Sequence, residues 1–346
     1  MATRMIGCVV GLLAVLHPAA ADEAKPAPKA GQWRGLHVIS FTTDRDLELL
    51  GHQVPKLAAM GLNVLIVEVN YSFQFQSYPK LRQGREPITP AGAAKLAEVC
   101  RKNGVRLIPQ FQCLGHQSWR QNTFPLLTVY PELDLTPGAF PQNKGIYCRE
   151  WDPLNPKVNE IVFKLMDEII DGFKADALHV GMDEVFLIGS DKSLSTKGKD
   201  PAKVFAKAVN DLHGHLVKGR KVEMLMWGDR LFDAKKYKWG KWEADETGTA
   251  GAVDLIPKDI MVCPWHYEKM EAYPSVPLFA EKGFRTLPAS WRKPDASKAL
   301  IEYTQKQHSP KVLGHLFTTW GSARKDALTE YAPLVQGLKL LKAPAR

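Results

Sequence analysis

The sequence predicts a (β/α)8 TIM barrel, an α/β fold. Three observations carry that reading. Eight short apolar runs rich in β-branched residues alternate with longer amphipathic segments, and no linker divides residues 33–346. The residues capable of chemistry also gather where the apolar runs stop, as they do in this fold. A doubly wound open sheet alternates in the same way, but no GxGxxG turn follows the first strand here.

Taken in order, the chain opens with "MATRMIGCVVGLLAVLHPAAADEA", in which Arg4 precedes an apolar run that ends in Ala19, Ala20 and Ala21. This pattern predicts a signal peptide over residues 1–21, cut near Ala21, and an exported protein, periplasmic or extracellular. Residues 22–32 read as a Pro/Ala-rich spacer, and 33–346 as one catalytic domain. The leader is too short to span a bilayer, and no later stretch approaches the ~20 apolar residues a span needs, so no stable membrane insertion is expected. The strand candidates are 35–41, 63–69, 105–111, 177–182, 222–227, 260–265, 284–290 and 313–319. Between them lie helical patterns such as "PAGAAKLAEVCRKNG", "NPKVNEIVFKLMDEIIDGF" and "PAKVFAKAVNDLHGHLVKG". Gly61, Gly104 and Gly219 are expected to end helices in the left-handed conformation.

The net charge of +9 comes from lysines spread along the chain, which predicts a solvated basic surface and no nucleic-acid groove. Cys100, Cys113, Cys148 and Cys263 lack CxxC or zinc-type spacing, so no metal site is expected, and a single disulfide stays open. His213 and His215 stand two apart on a helix and cannot face one ion well. No HExxH, G-x-S-x-G or phosphate-binding loop occurs, and no cofactor is expected. The oligomeric state is left open.

Strand two ends at Glu68 and Asn70, strand three runs into "QCLGHQSW" with His116, and strand four ends at Asp183 and Glu184. Strand five ends at Trp227 and Asp229, strand six at Trp265, His266 and Tyr267, strand seven at Trp291, and strand eight at Trp320. A barrel places all of these on its C-terminal rim. An indole face stacks on a sugar ring while its N–H still donates. One such tryptophan is ordinary core material, but four at four strand ends point to a carbohydrate site.

Asp183 and Glu184 interrupt "ALHVGMDEVFLIG", and adjacent carboxylates at the end of an apolar strand need a reason. Ordinary retaining glycosidases set two carboxylates about 5–5.5 Å apart across the scissile bond, which neighbours on one strand suit poorly. The pair suits another division of labour, in which Glu184 serves the leaving oxygen and Asp183 holds a 2-acetamido group that supplies the nucleophile. A solvent-facing pair without a role is the plain alternative.

"DALHVGMDEV" resembles the His-x-Gly-Gly-Asp-Glu signature of glycoside hydrolase family 20, the β-N-acetylhexosaminidases, with Met182 in place of the second glycine. "GLNVLIV", "SYPKL", "ITPAGAAKLAEVCRKNGVRLIPQFQCLGH" and "WDPLNPKVNEIVFKLMDEIIDGF" resemble further family segments in the right order, as do "MLMWGD", "CPWHYE" and "FTTWGSA" more loosely. The resemblance implies that Asp183 orients the acetamido group, that Glu184 is the general acid/base, and that His116 supports the site. It also implies that Trp227 and Trp320 wall the sugar pocket, with Tyr267 holding the acetamido carbonyl. The substrate implied is a glycan with a terminal hexosamine. Departures fall on sugar recognition: Thr42 stands nearest the place of the family's strand-one arginine, "NYSFQFQ" replaces an acidic stretch, and Gln112 and Leu114 replace an acid and a proline. Two other readings remain at this point. Glu184 could work with Glu68 or Asp229 on a sugar lacking the acetamido group, or the barrel could bind glycans without cutting them.

Overall fold

The computed structural model describes Met1 and residues 33–342. The expected leader, Met1 apart, and the spacer lie outside the described residues. Helices begin where the sequence supplies caps. Thr43 accepts from the Asp46 amide at 3.1 Å, and Thr89, Asn155 and Asp200 each cap a helix whose first residue is proline. The cap oxygen satisfies an orphan N–H, while proline at the first position gives up an N–H that had no partner anyway. These starts fix helices Asp44–Met60, Pro90–Lys102, Pro156–Phe173 and Pro201–His213. Gly61 and Gly104 close theirs with positive φ, as expected. Gly219 does not: the fourth helix runs into a π-helical turn over Gly214–Gly219, and Lys221 takes the left-handed conformation.

Six continuous parallel strands, Trp33–Val38, Val64–Glu68, Arg106–Cys113, Ala177–Gly181, Glu223–Trp227 and Met261–Cys263, pair in sequence order. Strand seven is two pieces, Arg285–Thr286 and Ala289–Ser290, and strand eight is Gly314–Thr318. The first piece pairs with strand six and the second with strand eight, which pairs back onto strand one. Bridges Trp265↔Ala289 and Thr286↔Val312 cross the gap, so the sheet closes into a barrel. The expected single run 284–290 breaks because Pro288 has no N–H to give the ladder, and Pro264 shortens strand six in the same way.

Side chains alternate as the pleat demands. In strand two, Val64 and Ile66 fill the barrel interior with Ile108, Leu225, Trp227 and Leu316. Leu65 and Val67 face outwards to the helix layer with Leu50, Val54, Leu96 and Leu165. Burying both faces of a parallel sheet leaves only the strand ends for function. The four cysteines are buried and free. His213 and His215 pair with different acids, Asp259 at 2.8 Å and Asp167 at 2.9 Å. Among the described residues, no helix is long and apolar enough to cross a membrane.

Candidate active site

Strands two to four and the turns beyond them build a polar wall on the C-terminal rim. Strand three turns Gln110 and Gln112 inwards, two residues apart as the pleat requires. Gln112 donates to Asp183 Oδ1 at 2.6 Å and, through its backbone amide, to Asn70 Oδ1 at 2.7 Å. Gln110 donates to Glu68 at 3.1 Å, and its carbonyl meets His37 Nε2 at 3.0 Å. Gly181 makes room for this: φ is +66° there, and a Cβ would sit 2.0 Å from Gln112 Oε1.

His116 reaches both acids. Its Nε2 lies 2.9 Å from Glu184 Oε2 and 3.4 Å from Asp183 Oδ2, aligned with neither as a linear hydrogen bond. Burial pushes the imidazole down, but the charge on Asp183 and the close contacts with both acids outweigh it and hold His116 well above its ordinary value. Burial pushes Asp183 up, and the His116 charge outweighs that too, leaving Asp183 below the usual carboxylate range. The pair is therefore imidazolium and carboxylate at neutral pH. Glu68, with less help from His116, is pushed by burial up to about 7.

Glu184 is set from behind. Its amide donates to Asp229 Oδ2 at 2.9 Å, and the Tyr147 hydroxyl hydrogen-bonds to its side chain. Two residues on, the amides of Phe186 and Leu187 donate to Glu150 at 2.5 and 2.8 Å. The backbone here is held in unusual conformations. Ser40, Asn70, Leu114, His116, Met182, Glu184 and Trp320 all have positive φ, and all lie at or just beyond strand ends on the rim. Each such residue costs on the order of 1–3 kcal/mol, so its surroundings must hold it there.

The opposite wall is aromatic. Trp265 stacks on Tyr267 with centroids 4.8 Å apart, Trp291 meets Tyr267 edge-on at 5.3 Å, and Trp320 donates its indole N–H to the Tyr267 hydroxyl at 2.5 Å. The two walls enclose a cleft of about 940 Å³.

Glu68, His116, Asp183, Glu184, Trp265, Tyr267 and Trp320 all line this cleft. Two expected residues do not. Trp227 is fully buried beneath the cleft, 4.5 Å from His179 and 5.7 Å from Trp320 between ring centroids, because it is the inward residue one layer below the rim. Asp229 is turned into the protein, where it accepts from Arg230 at 2.7 Å and Trp265 at 3.3 Å besides Glu184. Burial raises it to about 6 despite Arg230. It stands behind Glu184 and outside the cleft lining. Sequence reasoning missed Tyr147, Trp119 and Trp242, which stand on loops without periodicity. The Gln-x-Gln spacing on a buried strand was the available signal for Gln110 and Gln112.

His116, Asp183 and Glu184 also bring three metal-ligand atoms within 4.8 Å of one another. A cation placed there would have to displace the proton that the Asp183 charge holds on His116.

Residues 32–322 match the family model described as glycosyl hydrolase family 20, catalytic domain. A beta-hexosaminidase 1 of Coccidioides posadasii is 23% identical over 255 residues, 67% of this chain and 40% of that protein, so the chain spans less than half the length of this curated relative. A solved chitobiase from Flavobacterium johnsoniae superposes with a TM-score of 0.60 at 18% identity, covering 89% of this chain and 50% of its own. Dispersin B gives 0.55 at 14% identity, covering 90% of this chain and 98% of its own. These structures share the barrel fold, and the family match extends over strands, turns and both acids: the chain belongs to glycoside hydrolase family 20.

Proposed function

We propose that this protein is an exported glycoside hydrolase that removes terminal β-linked N-acetylhexosamine from glycans, using the substrate's own acetamido group as nucleophile. One observation carries the mechanism: the adjacent acids sit in different settings. His116 lies close to both, but Asp183 is an ionised acceptor fixed by the Gln112 N–H, whereas the Glu184 side chain takes the Tyr147 hydroxyl and its amide is anchored on Asp229. A two-carboxylate route needs a second ionised carboxylate facing Glu184: Asp229 is committed to Arg230 and Trp265, and Glu68, which accepts from Gln110, is pushed by burial up to about 7.

In the proposed reaction Asp183 accepts from the acetamido N–H, which turns the carbonyl oxygen towards C1. The Tyr267 hydroxyl already accepts from Trp320, so its own proton is free for that carbonyl. The carbonyl oxygen bonds to C1 as the C1–O bond to the leaving group breaks, and the departing oxygen takes the Glu184 proton. Water then adds to C1 and gives a proton to Glu184 as the cyclic bond opens, with net retention. The leader-like residues 1–21 support export.

The test is hydrolysis of p-nitrophenyl β-N-acetylglucosaminide, β-N-acetylgalactosaminide, β-glucoside and β-galactoside. Turnover confined to the two acetamido sugars, and reduced about 10²–10⁴-fold in Glu184→Gln, is expected. Turnover of the plain sugars would overturn substrate assistance.

A further inference from the structure

His266 ends strand six and has no part in the reaction described above, yet its ring is buried and bonded at both nitrogens. Nδ1 lies 2.6 Å from Glu243 Oε2, and Nε2 lies 2.6 Å from the Ser275 hydroxyl. The three residues come from three places. Glu243 stands on the loop after strand five, His266 just beyond strand six, and Ser275 at the first position of the short helix Ser275–Glu281. Trp239 packs edge-on against the imidazole at 5.2 Å, and Tyr273 tilts against it at the same distance. Hydrogen bonds shielded by such rings are stronger than the same bonds in water.

Glu243 fixes the direction of these bonds. Burial pushes its carboxyl up, but hydrogen bonds from His266 foremost, then Trp239 and the Tyr267 amide, outweigh it and hold Glu243 below the usual carboxylate range. An ionised carboxylate only accepts, so Nδ1 donates to it, and the Ser275 hydroxyl, which can give or take a proton, closes the chain at Nε2. The order serine, histidine, acid is that of an activated nucleophile. Ser275, however, is 1% exposed and stands off the cleft lining, so no substrate carbonyl reaches it. The acid end of the chain shows its role instead. Glu243 Oε2 also accepts from the Trp239 indole at 2.9 Å, and Oε1 accepts from the backbone amide of Tyr267 at 3.2 Å. Glu243 borders the cleft, but both of its oxygens are taken. Tyr267 is thus held at two points, its amide by Glu243 and its hydroxyl by Trp320.

From these contacts we propose that Glu243, His266 and Ser275 are positioning residues for Tyr267: the chain fixes the backbone of Tyr267, and with it the place of the hydroxyl that holds the acetamido carbonyl during attack on C1. The proposal deepens the reading of the site given above and rests on it. Without the imidazole, Glu243 loses its nearest partner, and its grip on the Tyr267 amide loosens with it. A displacement of about 1 Å at a group that orients the reacting atoms costs on the order of 100-fold in rate.

Two measurements test it. In the first, kcat/KM on p-nitrophenyl β-N-acetylglucosaminide is expected to fall about 10- to 100-fold in His266→Leu, and His266→Asn, whose amide can still donate to Glu243, to recover most of the loss. Made in a Tyr267→Phe background, His266→Leu is expected to cost less than about threefold, because the hydroxyl it positions is already gone. Equal losses in the two backgrounds, the result of a merely structural role, would overturn the proposal. In the second, amide hydrogen exchange is followed in the native chain and in the milder Ser275→Ala as well as His266→Leu. The Tyr267 amide is expected to exchange about tenfold faster in both variants while strand-one amides keep their rates. Unchanged exchange at Tyr267 would overturn the proposal even in a chain that turned over no substrate. Absence of turnover on every acetamido sugar would instead strike the proposed function, leaving the exchange rates to decide whether the chain fixes Tyr267.

Discussion

The two walls of the cleft are made differently. The polar wall rests on strands two to four, continuous runs of five to eight residues whose ladder places Glu68 beside Gln110 and Gln110 beside His179. The aromatic wall stands on strand six, three residues long, on strand seven, broken by Pro288, and on the turn after strand eight. Carboxylates and the groups that grip them act through hydrogen bonds that fail within a few tenths of an ångström, so they are carried on rigid, paired backbone. Indoles act through broad faces whose contacts tolerate more movement, and short strands suffice for them.

The largest effect should come from breaking the polar wall at Gln112. Gln112→Met keeps the length of the side chain and deletes the N–H on Asp183, leaving a buried carboxylate one donor short. A hydrogen bond to a charged group is worth about 1.5–3 kcal/mol, so kcat/KM on an acetamido substrate should fall roughly 10- to 150-fold. A change below threefold would show that His116 alone positions Asp183.

Much of this wall was legible in the sequence, because strand alternation and the Asp-Glu pair are local signals. All eight strands fall within the expected runs to a residue or two, apart from the proline breaks. Trp227 was misplaced because sequence shows that a tryptophan ends a strand without showing how deep in the barrel that end lies. Tyr147, Trp119 and Trp242 were illegible for another reason: their positions depend on loop paths set by contacts far away in the chain, such as Glu243 with Tyr267.

A second experiment asks what the polar wall costs in stability. Glu150, behind Phe186 and Leu187, is fully buried, and burial raises it to about 7 against the amides and Arg230 that pull it down. A carboxyl raised above its unfolded value binds more protons in the folded state, so its contribution is full below the unfolded value near 4.5 and is lost as pH rises through about 7. Urea unfolding of the native chain should therefore lose on the order of 2 kcal/mol more between pH 4.5 and 7.5 than Glu150→Gln does. Parallel pH dependences in the two proteins would refute this.

The smallest effect should fall on the aromatic wall. Trp320→Phe keeps a ring beside Trp227 and removes only the N–H to Tyr267. A neutral hydrogen bond is worth about 0.5–1.5 kcal/mol, so kcat/KM should drop roughly two- to tenfold. A loss as large as that of Gln112→Met would erase the distinction between the walls.

The left-handed residues along the rim bear on how this protein would respond to selection. Met182, Glu184, His116 and Trp320 hold conformations that a free chain avoids. Directed evolution for heat resistance alone should find its cheapest gains at just these turns, where relaxing the backbone is rewarded at once. The hardier descendants would be slower catalysts. Durability and turnover compete for the same few backbone angles, while the barrel below is indifferent to the contest.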